Sequence, residues 1–156
     1  VGGRALAAAP GTVMTFETWV CPSCGRRFAR ENTRHVCERH SVADKLDAAT
    51  PHALTLYEGL KALAAECGEF FEEATKTAIE FKTPRTFIAI GLNKKWLNCS
   101  IWLPAPLHHA RIQHNYPVSG NLYAIHFRIK SLDELDAQLK SWLCEAYFYL
   151  ETRQAF

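Results

Sequence analysis

The chain has 156 residues, 48% hydrophobic and 22% charged, the proportions of one ordinary globular domain with room for a small appendage. That excludes a wholly disordered tail and a multidomain enzyme. Eighteen Lys and Arg against sixteen Asp and Glu leave a formal charge of +2. This is too little to advertise a nucleic-acid or membrane partner from bulk charge, so any basic footprint has to be local.

No apolar run reaches the ~20 residues that span a bilayer, because Asp, Glu, Lys, Arg or Pro interrupts each one. A soluble, cytoplasmic protein with no membrane partner is expected. Residues 1–14 carry a single charge, Arg4, among small side chains. They are too weakly apolar for the core of a signal peptide and read as a disordered extension, with Met14, the only methionine, as the expected native start.

Residues 15–43 hold the strongest signal. Cys21-Pro22-Ser23-Cys24-Gly25 presents two thiols on a turn that Pro and Gly favour, the arrangement of a zinc knuckle. His35, Cys37 and His40 follow, and two of these three complete a tetrahedral set in either of two ways. The interval from Cys24 to Cys37 suits a ββα finger, with Phe28 as its core aromatic and His40 one helical turn beyond Cys37. Alternatively, His35 and Cys37 close the site from an extended segment. Arg34 stands where a ββα finger buries a leucine, which favours the second solution. Thiolate and imidazole donors without oxygen ligands suit a structural Zn2+. Arg26, Arg27, Arg30, Arg34 and Arg39 decorate the same segment, as they do in modules that contact phosphates.

The other cysteines, Cys67, Cys99 and Cys144, lie far apart. Without a secretion signal, reduced thiols are expected, with Cys67 and Cys99 as small core residues.

A second unit spans residues 50–153. Thr50-Pro51 reads as an N-cap and first helical position. The stripe Leu56, Leu60, Leu63, Cys67 then predicts a helix ending at Gly68. Four strands follow, about Thr75–Lys82, Thr86–Asn93, Trp96–Leu103 and Leu122–Ile129, the first three forming an antiparallel meander. Residues 104–121 are expected to be a long loop. Ser131-Leu132-Asp133-Glu134 matches a capping box, and Leu135, Leu139, Trp142, Leu143 and Ala146 continue a helical stripe. The predicted fold is α+β: a four-stranded antiparallel sheet in two layers with an N-terminal and a C-terminal helix, preceded by the zinc knuckle.

Trp19, Cys21-Pro22-x-Cys24-Gly25-Arg26-x-Phe28, Asn32, His35-x-Cys37, Leu56-Tyr57, Thr75-Lys76-x-x-Ile79-x-Phe81, Phe87, Ala89, Arg111, His126, Leu132, Glu134-Leu135-Asp136, Trp142-Leu143 and Ala146-Tyr147 together resemble a bacterial uncharacterised family. This is domain of unknown function 5655, in the version that carries an N-terminal zinc-knuckle-like segment, and the similarity covers nearly everything after Met14. The family has no established activity to carry over. In such sequences a histidine and a cysteine matching His35 and Cys37 follow the Cys-x-x-Cys pair, and the counterpart of His40 is optional. The resemblance therefore implies Cys21, Cys24, His35 and Cys37 as the metal ligands.

Alternation along the strands places Ile79, Phe81, Leu97, Ile101, Leu103, Tyr123, Ile125 and Phe127 on the helix-covered face, and Lys76, Trp96, Asn98, Trp102, His126 and Arg128 on the other. With Arg111 folded over from the loop, the second face offers an anion pocket of Lys76, Arg111, His126 and Arg128, and Trp102 as a stacking platform. A nucleic acid or a nucleotide-like small molecule uses all of these residue types. The competing expectations are a protein-interaction adaptor acting through Phe28 and Trp19, and an enzyme using Lys76, Arg111 and His126. No P-loop, dinucleotide fingerprint, nucleophile elbow or carboxylate pair is legible, so no catalytic residue is assigned.

Overall fold

A computed structural model describes residues 17–154. The expected extension at residues 1–14 and the start at Met14 lie outside the described residues. The chain begins with a short hairpin, β1 (Trp19–Val20) and β2 (Arg27–Phe28), whose turn is the Cys-x-x-Cys segment. Gly25, at φ 78°, makes that turn possible. An irregular stretch leads to α1 (Val42–Asp47), capped by Ser41, whose hydroxyl accepts from the Asp44 N–H. No helix forms between Cys24 and Ser41, which removes the ββα alternative for the finger.

Helix α2 (Pro51–Ala65) starts where Thr50 and Pro51 predict it, with the Thr50 hydroxyl accepting from the Ala53 N–H. Its buried positions, Ala53, Leu56, Tyr57, Leu60 and Ala64, are spaced to form one stripe. The same face carries Gly59, where a Cβ would come within 2.5 Å of Leu135. The missing side chain lets α2 approach the segment that precedes the last helix.

The sheet has six strands, not four. They are β3 (Phe71–Ala74), β4 (Ile79–Lys82), β5 (Thr86–Leu92), β6 (Leu97–Leu103), β7 (Ile112–Ser119) and β8 (Leu122–Ile129), all antiparallel, in the order β3-β4-β5-β6-β8-β7. The two strands beyond expectation are its edges. β3 is four residues long with Glu72 and Glu73 at its centre, so it lacks the apolar alternation of a strand. β7 takes up eight residues of the expected long loop; it contains Pro117, which a strand tolerates at an edge, and two register shifts.

Registers carry Ile88, Ile101 and Ile125 across one row and Ile90, Cys99 and Phe127 across the next. These side chains are buried against α2 and α3 (Ala137–Gln154), which cover one face of the sheet. The Ser131–Glu134 box is present, but it closes a 3-10 turn at Leu132–Glu134. The cap of α3 is Asp136, whose carboxylate accepts from the Leu139 N–H at 3.0 Å, a bond that holds its pKa below the usual carboxylate range. Among the described residues no helix is long and apolar enough to cross a membrane.

Cys67 and Cys144 are joined by a disulfide, correcting the expectation of reduced thiols. Cys67, just past α2, and Cys144, on α3, sit where the two helices converge, with Cα atoms 5.1 Å apart. The bridge closes a loop of 77 residues, so its loss is expected to cost about 4.5 kcal/mol in the chain-entropy account. Thermal unfolding of the wild type with and without reductant, beside a Cys67→Ser/Cys144→Ser double variant, measures this. Reduced wild type and double variant should coincide, well below the oxidised protein.

Candidate metal centre and adjoining cleft

The hairpin turn and the extended segment after it bring Cys21, Cys24, His35 and Cys37 together, with all four ligand atoms within 4.8 Å of one another. The Cys21 and Cys37 sulfurs are 3.7 Å apart, too far for a disulfide and close to the ~3.8 Å edge of a tetrahedron with sulfurs about 2.3 Å from a zinc ion. Cys24 Sγ lies 3.3 Å from His35 Nε2, near the ~3.6 Å edge of a mixed sulfur and imidazole pair. His35 Nδ1 lies 2.6 Å from the Thr33 carbonyl. Donation to that oxygen leaves the Nε2 lone pair aimed at the cluster, the usual outer support of a metal-bound imidazole. Phe28 packs on the imidazole at 4.4 Å between ring centroids.

The Cys24 N–H, working against burial and with help from the Ser23 N–H, pulls the Cys21 thiol down to about 6. Cys37, hydrogen-bonded to Cys21, is pushed up. The group is a Cys3His donor set positioned to hold a metal ion. His40 stands outside it, its Nε2 3.0 Å from a Glu38 carboxylate oxygen.

The finger is seated on the open face of the sheet, over β3 and β4. Arg26 reaches Glu73 at 2.8 Å and Glu80 at 3.4 Å, the Arg27 N–H donates to Glu73, and Lys82 donates to the Arg27 carbonyl and to Glu73. Lys82 is only 3% exposed, under the Phe28 ring at 4.5 Å. Burial drives its pKa down, and Glu73 resists that shift. Burial likewise works to raise Glu73, but the Arg27 N–H, Lys82 and Arg26 outweigh it and hold the carboxyl below its ordinary value.

Between finger and sheet lies a cleft of about 940 Å³. Six cationic residues line it (Arg26, Arg30, Arg34, Lys76, Lys82 and Arg85) against two carboxylates, Glu38 and Glu80. Trp102 lies on its floor side, and Lys76 sits in the tight β3–β4 turn that the Thr75 N–H closes on the Ala78 carbonyl.

A family model described as "Domain of unknown function (DUF5655)" matches residues 42–148. The chain belongs to the DUF5655 family. No curated protein and no solved structure matches it. The metal cluster precedes the matched DUF5655 region, whereas Lys76, Trp102, Arg111, His126 and Arg128 all lie within it.

Of those five, the DUF5655 sheet brings Lys76 and Trp102 to the cleft, and His126 joins Trp102 in a hollow that continues it. Arg128 is on the same face but committed: its guanidinium lies 4.4 Å from the Trp96 ring centroid and donates to Asn98. Arg111 does not fold over this face. It forms a paired contact with Asp136, at 3.0 and 3.1 Å, and donates to the Glu134 carbonyl, so it belongs to the start of α3. The reason is β7: once residues 112–119 form a strand, Arg111 is fixed at its start beside Trp142. The expected trio of Lys76, Arg111 and His126 is therefore not assembled.

Phe28 and Trp19, both half-buried, pack on each other and on His35. Lys82 and Glu73 went unrecognised at the level of sequence because nothing local marks a strand lysine as buried.

Because the folded pKa of Glu73 lies below its unfolded value, its stabilising contribution is full above the unfolded pKa and disappears as pH falls through the folded one. Glu73→Ala at neutral pH leaves Lys82 buried without its carboxylate and is expected to cost about 3–5 kcal/mol. A Glu73→Leu/Lys82→Met double variant is expected to cost much less. Denaturant unfolding of the wild type and the two variants between pH 3 and 7 checks both, since only the wild type retains Glu73 and loses this contribution on acidification.

Proposed function

We propose that the protein is a zinc-stabilised binding module for a nucleic acid or nucleotide-like anion, held in the cleft between finger and sheet. The zinc is structural. Three thiols and an imidazole with no oxygen donor suit a closed tetrahedral site. The ion would fix both the hairpin carrying the docking residues Arg26 and Arg27 and the extended segment that walls the cleft.

The observation that carries the reading is where charge is left over. The whole chain nets +2, yet six cations and two carboxylates meet in this one cleft. Both carboxylates are engaged, Glu38 by His40 and Glu80 by Arg26 and Thr86. Arg30, Arg34 and Lys76 have no ion-pair partner among the described residues. A concave site with unneutralised cations concentrates field on an anion far more than the same charges dispersed.

Two measurements test this. Metal analysis of the full chain should return one zinc per molecule, and its removal by chelator should abolish ligand binding together with protection of the Arg27 and Phe28 amides from hydrogen exchange. Binding of labelled single-stranded DNA and RNA across a salt series should show a steep salt dependence. Arg34→Ala and Lys76→Ala should each lower the slope by about 0.7. Absence of binding at low salt to nucleic acid, nucleotides and inorganic polyphosphate alike rejects the reading.

A further inference from the structure

The cleft does not end at Trp102. A second hollow of about 450 Å³ continues it along the open face, sharing Thr75, Thr77, Glu80 and Trp102 with the first. Its floor follows from strand register: Glu80, Ala89, Ser100 and His126 form one row across β4, β5, β6 and β8. Between the glutamate at the finger end and the histidine at the other, the floor is therefore methyl and hydroxymethyl groups about 4.8 Å apart, flat enough for a planar ring.

The two halves differ in chemistry. The finger half holds Arg30, Arg34 and Lys76; the sheet half contains no Lys or Arg among its lining residues, and its single carboxylate, Glu80, is already bonded to Arg26 and Thr86. What it does offer are the side-chain polar atoms of Ser100, Gln113 and His126, which make no hydrogen bond within the described residues. It also offers the face of Trp102. The other tryptophans are each claimed, Trp19 by Phe28 and His35, Trp96 by Arg128, and Trp142 by Phe127, His109 and Arg111. Among the described residues no ring or cation packs on Trp102.

The matching ligand is anionic at one end and flat, neutral and hydrogen-bonding at the other. Building on the anionic-cleft reading above, we propose that it is an unpaired nucleotide, its base on the open sheet face beside Trp102 and its phosphate turned to Arg30, Arg34 and Lys76. Inorganic polyphosphate and acidic peptides supply the charge without the plane. A duplex keeps its bases stacked and paired, out of reach of this floor. A free mononucleotide and an unpaired strand share the chemistry.

The test uses the full zinc-loaded chain and four probes: fluorescein-labelled oligothymidylate of six residues, adenosine monophosphate, a duplex hairpin and inorganic tripolyphosphate. Two variants probe the sheet half. Trp102→Leu removes the platform. Gly91→Val raises the floor at a position where a Cβ meets nothing closer than 3.6 Å, so that a failure of one variant to fold leaves the other to decide. Each is expected to weaken the oligonucleotide or the mononucleotide about tenfold or more while changing tripolyphosphate by less than about twofold, and the hairpin should bind more weakly than the single strand. Equal affinity of oligonucleotide and mononucleotide assigns a free nucleotide; a tighter oligonucleotide assigns a strand. If tripolyphosphate, hairpin and single strand bind alike and the folded variants change none of them, the nucleotide assignment is overturned while the anionic cleft stands. If no probe binds, both fall.

Discussion

The open face of this sheet takes its shape from one buried ion cluster. Glu73 accepts from the Arg27 backbone, from Arg26 and from Lys82 at once, and Lys82 returns a bond to the Arg27 carbonyl. Charges this well buried contribute little net stability compared with apolar side chains of the same volume. Their effect is positional. A hydrophobic contact would let the small finger slide over the sheet, whereas three donors converging on one carboxylate define where β2 must lie. The cleft wall, residues 29–40, follows from that placement, because it is tied to the same hairpin through the four-residue Cys/His cluster.

Much of the fold was legible because the strongest local signals and the tertiary structure agree. Thr50-Pro51 and the apolar stripe of α2 specify a helix on propensity, capping and burial together. β6 alternates strictly, with Leu97, Cys99, Ile101 and Leu103 buried between more exposed neighbours. The Cys-x-x-Cys turn was legible for the same reason, since Gly25 and the thiols serve one geometry. Consistency across levels is what makes a segment readable in isolation.

The segments that were missed are those whose justification lies far along the chain. β3 reads as a polar connection because Glu72 and Glu73 occupy its middle. Glu72 is taken up by Tyr57 and Lys61 from α2, and Glu73 by the finger some 46 residues upstream. β7 carries Pro117 and a run of polar side chains, which an edge strand tolerates and a central one does not. Arg111 resembles a loop cation until that strand forms and hands it to Asp136. The Cys67–Cys144 bridge spans 77 residues, and no spacing rule links thiols that distant.

The two faces of the sheet solve different problems. The helix face is filled by large apolar side chains and closed further by the disulfide, so it carries the stability of the domain. The open face departs from what a strand prefers: Ala89, Gly91 and Ser100 are weak strand formers at the centre of the sheet, where β-branched or aromatic residues pair best. All three positions line the open hollow, and at Gly91 a Cβ meets only ordinary contacts among the described residues. Packing within the chain therefore does not explain the composition of the floor. Space above it does, because any larger side chain at these positions fills the hollow that runs from the finger to His126. A local rule is broken along the hollow that continues the cleft, where the proposed ligand would override strand propensity.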